Sequence, residues 1–369
     1  MQQDCVIIGA GLSGLYIARA LALAGADFTV LEARERAGGR ILSRAPTRLA
    51  ATADARFDLG PAWVWPHFQP LMDELIQALD LPLFAQAIEG AGLYEDASQA
   101  EPQRMEGQSP HGESRRIAGG AGRLIEALCA SLPAGRMLLG HTATRIEAIA
   151  GGGVAIHHRD ATGTAIRQAR RVVLALPPRL IASEITFEPP LPSSLQKHLT
   201  STPTWMAAHA KLVALYEHPF WREQGLSGEA FSRRGPLTEI YDASPHEGGP
   251  HALFGFYGVP AAARRALGHE ALIARGLDQL ERLFGPQART PIECLIKDWS
   301  ESPLTATPAD EVPPPGHPDY GLGGLGRSLW DGRLLFAGTE SAERNGGYLE
   351  GAVEAGVEVL ALLDDLNTQ

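Results

Sequence analysis

Three glycines near the start of the sequence have the spacing of a phosphate-binding turn. Gly9, Gly11 and Gly14 lie in the stretch GAGLSG, which follows a short apolar run and precedes a helical pattern of apolar residues. In such a turn the first glycine allows the tight bend, the second lets the backbone approach a pyrophosphate, and the third lets helix pack on strand. The N–H groups at the start of the helix would then bind the phosphates.

The residues around these glycines predict a Rossmann-like unit. Residues 5–8 are typical of a buried strand, residues 15–23 of a helix, and residues 28–31 of a second strand that ends at Glu32. Glu32 lies about 20 residues beyond the glycines, where an acid binds the ribose hydroxyls of adenosine. We therefore expect an ADP-containing cofactor other than NADP. Ser13 is not expected to be a nucleophile, because GLSG lacks the GxSxG pattern of hydrolases.

A lysine begins an apolar run in the middle of the chain. Lys211 precedes LVALY, which predicts a buried strand, and the only other lysines are Lys197 and Lys297. Burial lowers the pKa of a lysine toward neutrality, and a neutral amine can order a water molecule, whereas arginine would stay charged. The alternative is a lysine at a strand edge whose stem packs and whose ammonium stays in water. Lys197 and Lys297 have polar neighbours and are expected to be exposed.

Composition and charge exclude several other classes of protein. The formal net charge of −11 disfavours nucleic acid and anionic membranes as partners. The three cysteines are far apart and the twelve histidines lack ligand spacing, so neither disulfides nor a metal site is predicted. We expect no signal peptide, and no membrane helix because no apolar run reaches the ~18–20 residues needed. These features favour a cytoplasmic protein.

A second glycine cluster, GLGGLG at residues 321–326, is predicted to be a connecting loop. It follows a proline-rich segment, and no strand pattern precedes it. A second dinucleotide site is therefore not expected.

Segments spread over nearly the whole chain resemble the flavin-containing amine oxidase superfamily. Besides GAGLSG, they include ARERAGGRILS, FDLGPAWVWP, VVLALPPRL and, near the end, WDGRLLFAGTESAERNGGYLEGAVEAG. The resemblance implies FAD, held without a covalent link, because the position of the cysteine that tethers it in some relatives falls near Pro308. The residues that match the family's cofactor-binding positions are Gly9, Gly11, Ser13, Gly14, Glu32, Ala33, Arg34, Gly39, Arg40, Gly60, Pro61, Ala62, Trp63, Ala143, Gly338, Thr339, Glu340, Tyr348 and Leu349.

The same resemblance implies catalytic positions. AKLVALYEHPFW is similar to the strand whose lysine hydrogen-bonds through a water to flavin N5, which implies this role for Lys211. Trp299 matches a tryptophan beside the flavin, and Tyr348 matches one of two tyrosines that guide the amine. The position of the other tyrosine falls near Ala309, so the aromatic cage is incomplete. Four aromatic residues are candidates to complete it, although each is also typical of a core: Trp63, Trp65, Trp205 and Tyr241.

The resemblance also implies the fold and the division of the chain. We expect an α/β protein, α+β overall, with a Rossmann-like FAD-binding domain interleaved with a smaller substrate domain on a mixed sheet. The FAD-binding domain would comprise residues 1–71, 114–190 and 296–369. The substrate domain would comprise residues 72–113 and 191–295, with a helix over residues 72–81 and a mobile polar loop over residues 95–114.

The implied activity is FAD-dependent oxidation of a small amine. The C–N bond would give an imine that water hydrolyses, and O2 would reoxidise the flavin with formation of H2O2. A homodimer is compatible with the sequence. Two alternatives remain: a desaturase or porphyrinogen-type oxidoreductase acting on C–C bonds, which Lys211 argues against and the missing tyrosine weakly favours, and a flavin-binding protein that has lost its chemistry.

Overall fold

The structure is a computed structural model that describes residues 2–48, 55–99, 101–107 and 109–367. Its helices are α1 Leu12–Leu23, α2 Pro70–Ala78, α3 Gly122–Ala130, α4 Pro178–Glu184, α5 Ser193–Ser201, α6 Phe220–Glu223, α7 Ala261–Leu267, α8 His269–Phe284 and α9 Leu349–Asn367. Its strands are β1 Gln3–Ile8, β2 Phe28–Glu32, β3 Ser43–Arg44, β4 Phe57–Asp58, β5 Leu83–Ala85, β6 Ala91–Glu95, β7 Gln103–Met105, β8 Arg115–Ile117, β9 Met137–Leu139, β10 Thr142–Ala148, β11 Val154–Asp160, β12 Gly163–Leu174, β13 Thr186–Glu188, β14 Ala210–Tyr216, β15 Leu226–Ser232, β16 Leu237–Asp242, β17 His251–Tyr257, β18 Glu293–Asp298, β19 Ser328–Leu329 and β20 Leu334–Phe336.

A nine-stranded sheet bears the glycine-rich turn. Its main path is β13-β10-β11-β12-β1-β2-β9, and β20, with β19 beside it, pairs with β12. β1 is parallel to both of its neighbours, and its residues from Cys5 to Ile8 are buried, as the apolar run predicts. The carboxyl ends of β1 and β2 meet at one edge, which brings Gly9 close to Glu32. The predicted α/β fold with a Rossmann-like domain is confirmed.

Helices cover both faces of this sheet. α1, α2, α3 and α9 pack into one apolar cluster, while α4 and α5 contribute to a second cluster on the other face. The helix predicted over residues 72–81 is α2, and its Met72 is buried in the first cluster. The carboxylate of Glu350 in α9 accepts the N–H groups of Leu71 and Met72, at 3.1 and 2.8 Å. This helix therefore packs with the nine-stranded sheet, while the domain boundaries stay predictions.

A seven-stranded sheet places the lysine. Its order is β18-β14-β17-β16-β15-β6-β7, and β14 runs antiparallel to both β18 and β17. Lys211 therefore lies inside the sheet and is only 2% exposed, so the strand-edge alternative is wrong. The α8 helix covers one face of this sheet, where Leu272 and Leu280 are buried. The opposite face, which bears Lys211, turns toward the nine-stranded sheet.

Two segments predicted to be loops differ in outcome. The stretch at 321–326 contains no helix or strand, as predicted. The polar stretch at 95–114 contains β7, which pairs with β6 at the edge of the seven-stranded sheet, so it is not a loop throughout. Residues 100 and 108 of that stretch lie outside the described residues. Among the residues that are described, no helix is both long and apolar enough to cross a membrane.

Candidate active site

A cavity of about 720 Å³, lined from both sheets, brings together most of the predicted site residues. The predicted residues that line it are Gly9, Gly11, Ser13, Glu32, Ala33, Arg34, Gly39, Arg40, Gly60, Pro61, Ala62, Trp63, Ala143, Lys211, Trp299, Gly338, Thr339, Tyr348 and Leu349. Two predicted residues, Gly14 and Glu340, lie behind this lining. A Cβ on Gly14 would lie 2.0 Å from the carbonyl oxygen of Gly9, so this glycine lets α1 pack on the turn.

The amino end of α1 forms one part of the cavity wall. Gly9 precedes it with a φ of +105°, and a Cβ there would lie 2.5 Å from the carbonyl oxygen of Ala175. Gly11, by contrast, faces open space. The N–H groups of the first helical turn have no intrahelical partners and carry the positive end of the helix dipole. This wall therefore fits a pyrophosphate, as the spacing of the glycines predicts.

Glu32 fixes the carboxyl end of β2 against this turn. It is buried, and its two carboxylate oxygens accept the N–H groups of Ala10 and Arg34, each at 2.8 Å. It lines the cavity together with Ala143, another of the predicted cofactor-binding residues. Each carboxylate oxygen keeps a further lone pair, so a ribose hydroxyl can still donate to it.

A buried ion pair joins two segments that are 300 residues apart. The guanidinium of Arg40 donates to both carboxylate oxygens of Glu340, at 2.6 and 3.1 Å, and Glu340 is only 1% exposed. Burial opposes the charge of Arg40, but the Glu340 carboxylate beside it holds the pKa of Arg40 above its ordinary value. Arg40 therefore faces the cavity as a fixed cation, and Glu340 acts by holding it.

The open space at Gly11 gives a first prediction. Gly11→Ala should leave the free energy of unfolding of the cofactor-free protein nearly unchanged, because the new Cβ touches no protein atom. It should weaken FAD binding at least tenfold, because the methyl group occupies the closest approach of the pyrophosphate. Fluorescence titration of the cofactor-free protein with FAD measures the Kd. Gly316→Ala, which also meets open space but does not line the cavity, is the control.

Lys211 projects into the cavity from the interior of its sheet. Its Nζ donates to the carbonyl oxygen of Gly60 at 3.1 Å and lies 3.9 Å from the ring centroid of Phe254. Burial lowers the pKa of Lys211 to about 7, although the carboxylate of Asp58 opposes this shift and Arg116 adds to it. The amine is therefore able to change its protonation state near neutral pH.

Lys297 was predicted to be exposed, but the structure shows that it is half-buried. The register of β14 and β18 places it directly opposite Lys211, and its Nζ lies 4.9 Å from the ring centroid of Trp299 and donates to Ser302 Oγ at 2.5 Å. Its pKa is lowered, first by burial and then by the charge of Arg34. Trp299 in turn donates its indole N–H to the carbonyl oxygen of Leu59 at 2.9 Å. Lys297 thus packs against the predicted flavin-side tryptophan.

Tyr348 is packed against two other rings and, within the described part of the chain, does not face a second tyrosine. Its ring stacks on that of His317, with centroids 4.5 Å apart and planes 1° apart, and Trp205 meets it edge-on at 6.3 Å. Trp205 lines the cavity, so it is the candidate that extends this aromatic wall. No sequence motif indicated His317, because it lies in the proline-rich loop before Gly321.

The end of the cavity beyond Lys211 contains residues that no motif indicated. His111 stacks on Trp63 with ring centroids 4.0 Å apart, and Glu239 lines the cavity on the same side. Trp65 lines it too, whereas Tyr241 lies behind Glu239 and donates its hydroxyl to that carboxylate at 3.0 Å. His209, two residues before Lys211, also lines the cavity, and its buried Nδ1 has no partner. Such an unpaired polar atom fits a wall that contacts a polar group of a cofactor.

The cysteines lie away from this cavity. Cys5, Cys129 and Cys294 are all free thiols and none of them lines it. A cysteinyl link to a flavin is therefore excluded, in agreement with the expected non-covalent cofactor.

Comparison with known families matches most of the chain. Residues 82–359 match the model described as flavin containing amine oxidoreductase, and residues 7–79 match the NAD(P)-binding Rossmann-like domain. A putative flavin-containing monoamine oxidase from Mycobacterium tuberculosis (strain ATCC 25618 / H37Rv) is 34% identical over 253 residues, covering 67% of this chain and 53% of the relative. A putrescine oxidase from Kocuria rosea is 24% identical over 445 residues, covering 89% and 87%. The chain spans about half the length of the first of these relatives.

Solved structures share the fold. A putrescine oxidase bound to putrescine superposes with a TM-score of 0.81 at 23% identity, covering 100% of this chain and 99% of the other. A cyclohexylamine oxidase from Brevibacterium oxydans IH-35A gives a TM-score of 0.81 at 21% identity, covering 100% of both chains. Both likenesses extend over both sheets of the chain.

Proposed function

Because the chain belongs to the family of flavin-containing amine oxidoreductases, we propose that it oxidises the C–N bond of a small amine with non-covalent FAD and O2. The amine would become an imine, which water hydrolyses to a carbonyl compound and ammonia or a smaller amine. When bound, FAD would supply the acceptor for the two electrons of the C–N bond, and O2 would be the final acceptor, reduced with two protons to H2O2. The relatives whose names state an amine support this class of substrate.

The residues of the chain would bind the cofactor and position the amine and a water molecule beside it. The amino end of α1 and the cation of Arg40 bind the pyrophosphate, and Glu32 binds the ribose. Trp299 and Tyr348 present aromatic faces, which attract an amine cation by ~0.5–1 kcal/mol where water still has access. Lys211 holds a water beside the reacting carbon and accepts or returns a proton at its Nζ.

One observation carries the proposal. A single lysine, buried inside a sheet and hydrogen-bonded to the Gly60 carbonyl, faces the cavity in which the nucleotide-binding residues converge. Its pKa of about 7 suits proton transfer at neutral pH. A purely structural lysine would gain nothing from this position, because burial makes it destabilising.

Anaerobic flavin bleaching tests the proposal. The purified protein should release a yellow chromophore on acid treatment, and a panel of primary and secondary amines should bleach its visible absorbance without O2. Air should restore the colour and yield one H2O2 per flavin. Bleaching by a cyclic alkene or a porphyrinogen but by no amine would support the C–C alternative instead, and a protein unable to take up FAD would refute both.

A further inference from the structure

A second cavity, of about 350 Å³, is lined by residues of β5, β8 and α6 and by the loop that follows β16. None of these residues lines the large cavity. Gln86 lies between two of them, Ala85 and Ala87, and its side chain accepts the indole N–H of Trp63 at 2.8 Å. Because Trp63 lines the large cavity, Gln86 belongs to the wall between the two. Small-molecule sites begin at a volume of about 300 Å³, so the second cavity has room for a small ligand of its own.

Basic side chains dominate the lining of this second cavity, which we call the arginine pocket. Among the described residues that line it, three are basic, Arg116, Arg222 and His246, and none is acidic. Glu247 lies 4.0 Å from His246 Nε2, but it is exposed and does not line the pocket. The whole chain has a formal net charge of −11, so the arginine pocket is a local exception. Its charge favours an anionic ligand.

Backbone carbonyls fix the guanidinium of Arg116 in the wall of the arginine pocket. Its Nη1 donates to the carbonyl oxygen of Ser244 at 2.8 Å and its Nη2 to that of Ala243 at 3.0 Å, and the residue is buried. Its Nε is buried too and has no hydrogen-bond partner in the described part of the chain. Its Cζ lies 5.1 Å from the ring centroid of Phe84, which also lines the pocket. Both acceptors are neutral, so these contacts leave the positive charge of Arg116 without a counter-ion in direct contact.

The electrostatic surroundings of Arg116 include a second cation. Burial lowers the pKa of Arg116 and the positive charge of Arg222 lowers it further, whereas the carboxylates of Asp58 and Asp242 oppose this shift. An arginine nevertheless stays protonated in proteins. Arg116 and Arg222 therefore repel each other, and an anion placed between them would attract both.

Arg222 keeps free donors for a ligand. Its Nε donates to Oδ2 of Asp242 at 2.8 Å, and its Nη2 lies 2.8 Å from the same oxygen. Asp242 also accepts the indole N–H of Trp221 and the N–H of Ser244, so the ion pair is held in place. The side chain of Arg222 is still 41% exposed, and its Nη1 forms no hydrogen bond within the described ranges. This nitrogen is thus able to donate to a bound molecule.

We propose that the arginine pocket binds a small divalent oxyanion, either a phosphate monoester or a dicarboxylate, between Arg116 and Arg222. Guanidinium groups fit the paired oxygens of carboxylates and phosphates. Arg222 and His246 would donate to the anion directly, and Arg116 would contribute its charge from the buried side. The rings of His246 and Phe84, with centroids 5.1 Å apart, would contact the carbon skeleton of the ligand. This site is separate from the large cavity, and the inference does not depend on the function proposed above.

Isothermal titration calorimetry with excess FAD tests the site. FAD would then occupy the phosphate-binding wall of the large cavity, and constant ionic strength keeps the screening of the charges equal. Inorganic phosphate and succinate should each bind with a Kd below about 1 mM. Both should bind about tenfold or more tightly than acetate, which has a single charge. The tighter of the two identifies the ligand as a phosphate ester or as a dicarboxylate.

Two substitutions of Ala85 test the charge of the pocket without altering either arginine. Ala85 lines the arginine pocket and is exposed. Ala85→Glu would place a carboxylate among the basic groups and should abolish binding of phosphate and succinate. Ala85→Gln, which has the same size and no charge, should retain it.

Substitution of an arginine tests the contact itself. Arg222→Gln should raise the Kd for both anions about tenfold or more, because a charge-assisted hydrogen bond is lost. Arg275→Gln, which removes an exposed arginine of α8 outside the pocket, should leave the Kd unchanged. Binding that does not saturate, equal affinity for acetate, or equal binding by Ala85→Glu and Ala85→Gln would overturn the inference. None of these outcomes bears on the oxidation of amines.

Discussion

Lys211→Met should make the protein more stable and at least 100-fold less active. The variant removes a buried amine that hydrogen-bonds the Gly60 carbonyl and, in the proposed mechanism, holds the water and moves its proton. Positioned proton transfer typically contributes 10²–10⁴-fold to rate, which sets the expected loss. Methionine has a similar length and no charge to bury, so the free energy of unfolding should rise by roughly 2–4 kcal/mol at pH 6.

The pH dependence of this gain follows from the pKa of about 7. Between pH 7 and the ordinary lysine value of 10.5, the unfolded chain holds a proton that the folded chain has released, so the stability of the wild type rises with pH in this window. The advantage of Lys211→Met should therefore be largest below pH 7 and vanish near pH 10.5. Activity of the wild type should rise as pH passes 7, and the residual activity of the variant should be flat.

Denaturant unfolding with excess FAD, at several pH values, measures the stability, and anaerobic and aerobic flavin spectra measure the activity. Lys197→Met is the matched control, because Lys197 is exposed on α5 and should contribute to neither property. If Lys211→Met is less stable than the wild type at every pH, or if its activity still rises as pH passes 7, then Lys211 is not the titrating group.

Glu340→Ala should release the cofactor and destabilise the fold. Removing one partner of a buried ion pair leaves the other uncompensated, which costs about 3–5 kcal/mol when both are fully buried, and Arg40 reaches the cavity, so we expect about 2–4 kcal/mol. The freed guanidinium would also leave its position beside the pyrophosphate, and the Kd for FAD should rise more than tenfold.

Unfolding of the cofactor-free protein and flavin retention on gel filtration measure these two effects separately. Glu340→Gln keeps one acceptor for Arg40, so its losses of stability and of FAD binding should be smaller than those of Glu340→Ala. Glu343→Ala removes an exposed carboxylate three residues away and should change neither property. Full retention of FAD by Glu340→Ala would contradict the role assigned to the pair.

Most of the nucleotide-binding part could be predicted from the sequence, because its chemistry depends on backbone geometry that only certain residues allow. The turn at Gly9 needs a positive φ and the approach at Gly11 needs a missing side chain, and both requirements leave a mark in the sequence. The apolar periodicity of the sequence also predicts β1, α1 and β2, with bounds that differ by at most a few residues from those observed.

The substrate end could not be predicted in the same way. β16 contains a bulge between Leu237 and Glu239, so alternation counted from the buried Leu237 would have placed Glu239 on the face that packs against α8 and not on the cavity face. Lys297 is covered because β18 pairs with β14, a contact between segments some 80 residues apart. His317 and His111 come from loops whose path depends on the packing of the whole fold, so no local pattern indicated them.

The strand order of the nine-stranded sheet also determines when the protein can capture its cofactor during synthesis. β1 pairs with β12 and β12 pairs with β20, so neighbouring strands come from the beginning, the middle and the end of the chain. The Arg40–Glu340 pair closes the same span. In a nascent chain that has emerged only through β12, the edge of β12 that pairs with β20 is still unpaired, and the cofactor-binding cavity is incomplete. Such a topology, dominated by contacts distant in sequence, folds slowly, and its partly made forms are prone to aggregate. Cofactor uptake accordingly has to wait until β20 and Glu340 have emerged and joined the sheet.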